Sequence, residues 1–225
     1  MICIPICASD TDSARKKMAL AAPLCDIVEL RLDYLDSIDL SSLLAARHGP
    51  VVVTNRKTDE RGRFTGTEEE RVSSLTDAVR LGADFVDVEL STPPELMAAI
   101  TGTMQKSSTG TRLIISSHNF METPSLDRLH DLYARSRAAG GDIIKIVTHA
   151  RVLSDNLTIL ALVDRVISDK GAIIAFCMGR KGKISRVMAP FFGSFLTFAS
   201  LETGAESAPG QMTVHDMKKI FEVLT

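Results

Sequence analysis

Lys145 stands in the run Asp142-Ile143-Ile144-Lys145-Ile146-Val147, one ammonium among apolar and β-branched neighbours. Such a run reads as a strand covered on both faces, as in a parallel sheet. Burial favours the neutral amine, and a fixed neutral amine is a nucleophile for carbonyl carbon. The plainer alternative is a lysine at a strand end, or one paired with a buried carboxylate. Ser116-Ser117-His118-Asn119 closes the preceding apolar run. On an adjacent strand, His118 would share a cavity with Lys145 and could carry protons for it.

Other runs also carry charge. Val28-Glu29-Leu30-Arg31-Leu32-Asp33 and Val86-Asp87-Val88-Glu89-Leu90 alternate apolar and charged residues. Strand alternation turns Glu29, Arg31, Asp33, Asp87 and Glu89 to the face opposite the apolar set. They read either as substrate contacts or as a buried ion-pair network that sets strand register. Thr54-Asn55-Arg56 ends a third run, with Asp59 and Glu60 just beyond. Arg186, at the start of a late helix, could reach inward to a substrate carboxylate, whereas Arg180, Lys181 and Lys183 read as solvated. His149 reads as a rim residue. His118, Asp87, Glu89 and Glu60 could in principle hold a metal, but Arg31, Arg56 and Lys145 would set cations beside it, so no metal is expected. Neither a Walker loop nor G-x-G-x-x-G is present, which leaves nucleotide cofactors unsupported.

The elements that must position these groups alternate. Eight apolar runs, starting near Ile2, Asp26, Val51, Phe85, Leu113, Ile143, Ile173 and Phe195, are each followed by an amphipathic stretch. Thr67 ahead of three glutamates, Ser154-Asp155 and Thr213 look like helix starts. Strict alternation of this kind means a parallel sheet with crossover helices. Eight units predict a single-domain (β/α)8 TIM barrel over residues 1–225, with an open doubly wound sheet as the alternative. In such a barrel, reactive groups gather at the C-terminal strand ends. The segment Ser207-Ala208-Pro209-Gly210-Gln211, after the last strand, has the small polar composition of a closing loop.

The 225 residues, 45% hydrophobic, supply a substantial core, and a net charge of −2 without tryptophan gives no support for nucleic-acid or membrane-surface binding. No apolar run is long enough for a membrane span. Cys3, Cys7, Cys25 and Cys177 form no C-x-x-C pair and read as core residues of a reducing compartment, so the expected location is the cytoplasm.

Taken together, Glu29-Leu30-Arg31-Leu32-Asp33, Arg56 with Glu60, Ser116 to Phe120, Asp142 to Ile146, Ser185-Arg186, Phe192-Gly193-Ser194 and Ser207 to Gln211 resemble type I 3-dehydroquinate dehydratase. The resemblance implies syn elimination of water from 3-dehydroquinate to 3-dehydroshikimate through a lysine Schiff base, within the shikimate pathway. It implies a homodimer and no metal or cofactor. By motif, Lys145 would form the imine, His118 would act as base and acid, and Glu60 would orient His118 and favour its imidazolium. Glu29, Arg31 and Arg56 would bind hydroxyls. Arg186 and Gln211 would hold the carboxylate under Ser207 and Ala208, while Met178 and Phe192 would pack the substrate. The N-terminal hairpin of many relatives is expected to be absent or nearly so, and Arg61 stands where a glycine often follows the glutamate. The family domain also occurs fused to shikimate dehydrogenase. Class I aldolases share an imine lysine in a barrel, but the loops after strands 7 and 8 lack the Gly-rich phosphate signature a sugar-phosphate aldolase would need. A ligand sensor on the same scaffold would be expected to have lost Lys145 or His118.

Overall fold

The computed structural model describes residues 1–225. Eight parallel strands alternate with helices: β1 (Ile2–Ile6), α1 (Thr11–Ala21), β2 (Ile27–Arg31), α2 (Leu40–Ala45), β3 (Val51–Thr54), α3 (Glu68–Arg80), β4 (Phe85–Glu89) and α4 (Pro94–Lys106). Then come β5 (Arg112–His118), α5 (Leu126–Ala138), β6 (Ile143–His149), α6 (Asp155–Ser168), β7 (Ile173–Met178), α7 (Lys183–Met188), β8 (Thr197–Phe198) and α8 (Val214–Leu224). The strand order β7-β6-β5-β4-β3-β2-β1-β8 wraps the sheet into a nearly closed barrel.

The seam lies between β7 and β8, and it explains why the expected five-residue last strand shrinks to two. Phe195 N–H donates to the Ile173 carbonyl at 2.7 Å. Otherwise the Ser194 hydroxyl bridges the strands, accepting from Ala175 N–H at 3.4 Å and donating to the Ile173 carbonyl at 3.3 Å. One side chain replaces a ladder.

Helix starts follow local chemistry. Thr67 and Glu70 form a reciprocal capping box on α3, and three glutamates occupy the positive end of its dipole. Thr213 caps α8 as expected. Ser154 does not cap α6: it already has helical dihedrals, and Asp155 instead accepts the amides of Arg151 and Val152 from the preceding turn.

Period-two alternation divides the strand residues between two apolar layers. The larger layer lies between strands and helices and includes Val28, Leu30, Val86, Val88, Ile144 and Ile146. The smaller fills the barrel, with Ile27, Val52, Ile114, Ile143, Ile174 and Leu196. At the N-terminal end, Phe85 and Phe195 meet edge to face, 5.6 Å between centroids, with the Arg112 guanidinium 5.3 Å from the Phe195 ring. These three side chains pack across that end, and the cleft opens at the C-terminal ends of the strands. No helix is long and apolar enough to cross a membrane.

Candidate active site

Above the apolar plug, inward positions change from hydrocarbon to charge. Glu29 and Arg31 follow Ile27 on β2, Asp87 and Glu89 follow Phe85 on β4, and Lys145 follows Ile143 on β6, each two residues along the inward face. Register sets Lys145 opposite Ser116 on β5, with His118 two residues nearer the mouth.

Lys145 is buried, and it is not isolated. Its Nζ donates to Asp87 Oδ2 at 2.8 Å and lies 3.5 Å from Glu29 Oε1 and 4.5 Å from the centroid of Phe198. Asp87 Oδ1 accepts from Arg56 at 2.7 Å and from the Ser116 hydroxyl at 2.6 Å. Burial alone would raise the Asp87 carboxyl; Arg56, Lys145 and Ser116 overturn that and hold it well below the usual carboxylate range. The ion-pair reading of these charges is the one the geometry shows, and the network that satisfies the buried carboxylates also grips the lysine.

The network reaches into the helix layer through a residue that sequence reasoning missed. Arg71 on α3 is fully buried, pairs with Glu89 and Glu68, and donates to the Asn55 carbonyl at 3.1 Å and the Thr92 hydroxyl at 2.8 Å. Glu89 is thus shared between Arg71 and Arg56, the latter at 3.1 Å. In an amphipathic helix Arg71 resembles any solvated charge, and only its three-dimensional position shows that it points at the barrel.

His118 Nδ1 lies 2.6 Å from Glu60 Oε2, delivered by the 3-10 turn Thr58–Glu60 after β3. Burial pushes the imidazole well below its ordinary pKa, and the cations Arg56 and Lys145 add to the effect. This departs from the expectation that Glu60 favours the imidazolium: desolvation and two nearby cations outweigh one carboxylate, whose own pKa burial raises. A neutral imidazole donating Nδ1–H to Glu60 presents a free lone pair at Nε2.

Arg186 supplies the contrast. Its guanidinium is fully buried and meets no carboxylate, only the Pro209 carbonyl at 3.3 Å and the face of Phe176 at 4.4 Å. Burial pushes its pKa down to about 10. Its Nε has no partner, and neither has the amide nitrogen of Gln211. Buried polar groups are rarely left unpaired, so two such donors in one cleft mark a place for an acceptor that arrives from outside.

The loop after β8 closes over them. The Pro209 carbonyl accepts from Gly179 N–H at 3.0 Å, and the Gln211 side-chain amide oxygen Oε1 accepts from Ser207 N–H at 2.8 Å. Gly210 has φ +81° and lies against the Gly179 backbone, where a side chain would collide.

The cleft is lined by Glu29, Arg31, Arg56, Glu60, His118 and Lys145 below, and by Met178, Arg186, Ser207, Ala208 and Gln211 above. Arg31 also grips Asp33, at 2.8 and 2.7 Å. Phe192 is not brought in. It ends the short 3-10 helix Ala189–Phe192 and is 40% exposed. The aromatics at the cleft are Phe120, Phe176 and Phe198. Phe198 was legible in principle, because alternation after Leu196 turns it inward. His149, the last residue of β6, packs against Gly179 outside the cleft.

A parallel barrel whose mouth holds a buried lysine, a neutral histidine and unpaired cationic and amide donors defines a (β/α)8 barrel enzyme with its site at the C-terminal strand ends. The chain belongs to the type I 3-dehydroquinase family, whose model matches residues 2–225. It is 36% identical over 224 residues to the 3-dehydroquinate dehydratase of Methanococcus maripaludis strain C5, covering 100% of both chains. It is 34% identical over 226 residues to the bifunctional chloroplastic 3-dehydroquinate dehydratase/shikimate dehydrogenase of Arabidopsis thaliana, covering 98% of this chain and 36% of that one. The crystal structure of 3-dehydroquinate dehydratase from Geobacillus kaustophilus superposes with a TM-score of 0.89 at 25% identity, covering 99% of this chain and 90% of the other. The protein is accordingly a hydro-lyase of the shikimate pathway.

Proposed function

We propose that the cleft dehydrates 3-dehydroquinate by imine chemistry at Lys145, with His118 as the proton carrier. The supporting observation is that Lys145 and a neutral His118 face one cleft from adjacent strands. Lys145 Nζ sheds one proton and attacks the ketone carbon; that proton goes to the carbinolamine hydroxyl, which leaves as water, and a protonated imine remains. His118 Nε2 removes the proton α to it, and the electron pair moves into the C–N unit as an enamine. The enamine expels the β-hydroxyl, which takes the same proton from the imidazolium and leaves as water. Hydrolysis of the conjugated imine frees the product and the amine.

Arg186 and Gln211 hold the substrate carboxylate, because their unsatisfied donors are the ones a carboxylate completes. Glu29, Arg31 and Arg56 meet ring hydroxyls, with Met178 against the ring and Ser207 and Ala208 as the cover. Borohydride added with 3-dehydroquinate should leave a stable adduct on Lys145, read by peptide mass; an active sample with no adduct, or one on another lysine, would refute the assignment.

The chain pairs with a second copy, we further propose, through Val152 and Leu153 in the turn before α6, Leu157 in its first turn and Ile184 on neighbouring α7. Each of the four is between 47% and 68% exposed. Light scattering at the monomer mass would overturn this. The free cysteines fit a reducing, cytoplasmic setting.

A further inference from the structure

The turn that delivers Glu60 to His118 ends on Arg61, which has left-handed dihedrals, φ 57° and ψ 29°. That region is unfavourable for a residue with a Cβ, and arginine has no side-chain group that makes it easier. The side chain is not idle there. The Arg61 guanidinium lies 4.3 Å from the centroid of Phe120, and both residues line the cleft. Phe120 in turn stacks on the His118 imidazole, 5.9 Å between centroids with the planes 12° apart. Arg61, Phe120 and His118 thus form a contiguous stack, and Glu60 holds the Nδ1 edge of the imidazole from the same turn.

We propose that Arg61 is a positioning residue for the dehydration: with Glu60 it clamps the His118–Phe120 pair, setting the plane of the imidazole and screening that face from water. This rests on His118 being the proton carrier. Glu60 holds the Nδ1 edge of the ring and limits its turning about Cβ–Cγ, but it leaves tilting about χ1 unchecked and the ring faces uncovered. A flat aromatic neighbour limits that tilt only if it is itself held, and Arg61 holds it. The left-handed backbone at Arg61 accompanies a guanidinium laid over Phe120, although the residue as a whole is exposed.

Arg61→Gly tests this cleanly, because glycine accepts the left-handed turn and should fold at least as stably as the parent. The expected result is a two- to fivefold fall in kcat, the size of an exposed cation–π contact, with KM little changed and borohydride trapping at Lys145 intact. The acid limb of the kcat profile should move to higher pH as water reaches the imidazole. The charged groups that face His118 are Arg56 and Glu60 from the segment after β3, Asp87 and Glu89 from β4, and Lys145 from β6. All of them remain in the variant and only the Arg61 cation is lost, so a limb that stays moved at high salt, where that charge is screened, reports access and orientation. In a Phe120→Leu background, Arg61→Gly should have no further effect on kcat.

An unchanged kcat and acid limb would overturn the clamp, and so would a loss confined to KM, which would make Arg61 a substrate contact. A kcat that falls only in step with lost folded protein would do the same. The underlying reading fails separately. If His118→Ala turns over as fast as the parent, His118 is not the proton carrier. If His118→Ala is inactive while Arg61→Gly behaves as the parent, only the clamp is lost.

Discussion

Asp87 holds Lys145 with one carboxylate oxygen and Arg56 with the other, at 2.8 and 2.7 Å, inside a barrel where all three side chains are buried. One anion therefore positions the proposed nucleophile and neutralises the cation beside it. Asp87→Asn keeps the shape and removes the charge. Breaking a buried network by one partner costs about 3–5 kcal/mol, so the variant should unfold at markedly lower urea and turn over poorly. Because the Asp87 carboxyl is held low, its contribution is complete above about pH 4, the unfolded value, and is lost as pH falls toward the folded one. A urea midpoint equal to the parent's at neutral pH would contradict the placement of this carboxylate.

His118 sets the acid side of the rate profile. An imidazole held below its ordinary value remains neutral, and able to accept a proton, to lower pH than a free histidine. The acid limb of kcat/KM should therefore lie below about 6.5. The same shift makes the native state bind fewer protons than the unfolded chain, so stability from this site is whole above about pH 6.5 and falls as pH drops toward the folded value. A limb at 7 or higher would mean that the imidazole is not desolvated as described. Replacing His118 by Ala should leave imine formation in place and slow turnover by about 10²–10⁴.

Arg186 carries a buried charge without a partner, which is a cost in the free protein. Arg186→Gln should therefore be at least as stable as the parent, by about 1 kcal/mol or more, while binding suffers. Losing one charge-assisted contact of about 1.5–3 kcal/mol raises KM roughly 10- to 150-fold. Thermal melts and steady-state kinetics on the same sample test both halves. A destabilised variant with unchanged KM would reassign Arg186 to the scaffold.

Arg71 predicts the opposite pattern. Arg71→Met leaves Glu89 with Arg56 alone and should cost about 3–5 kcal/mol in a urea titration. Adding Glu89→Gln removes the stranded charge, and the double variant should recover part of that loss. Strict additivity of the two single effects would show that the pair does not interact.

Much of this was legible in the chain. Lys145 announced itself because one ammonium in Ile-Ile-Lys-Ile-Val cannot be a surface residue of a doubly covered strand. Glu29, Arg31, Asp87 and Glu89 were legible because a period of two separates faces without knowledge of the partner strand. Arg71 was hidden because a helix has a solvent side on which an arginine is ordinary, and nothing local marks the one that turns toward the barrel. Phe192 was misplaced for a related reason: after α7 the chain leaves periodic structure, and a motif cannot tell which of several nearby phenylalanines faces the cleft. Phe198 does, from β8.

By itself, then, the sequence determined the order of the eight units, the inward faces of the strands and the residue types able to do imine and proton chemistry. These depend on local periodicity, which is written in neighbouring residues. The tertiary structure decided the pairings: Asp87 between Lys145 and Arg56, Arg71 behind Glu89, His118 neutral against Glu60, and Arg186 left without a counter-ion. Each of these depends on distances between strands far apart in sequence and on how much water their side chains have lost, and neither quantity exists until the barrel closes.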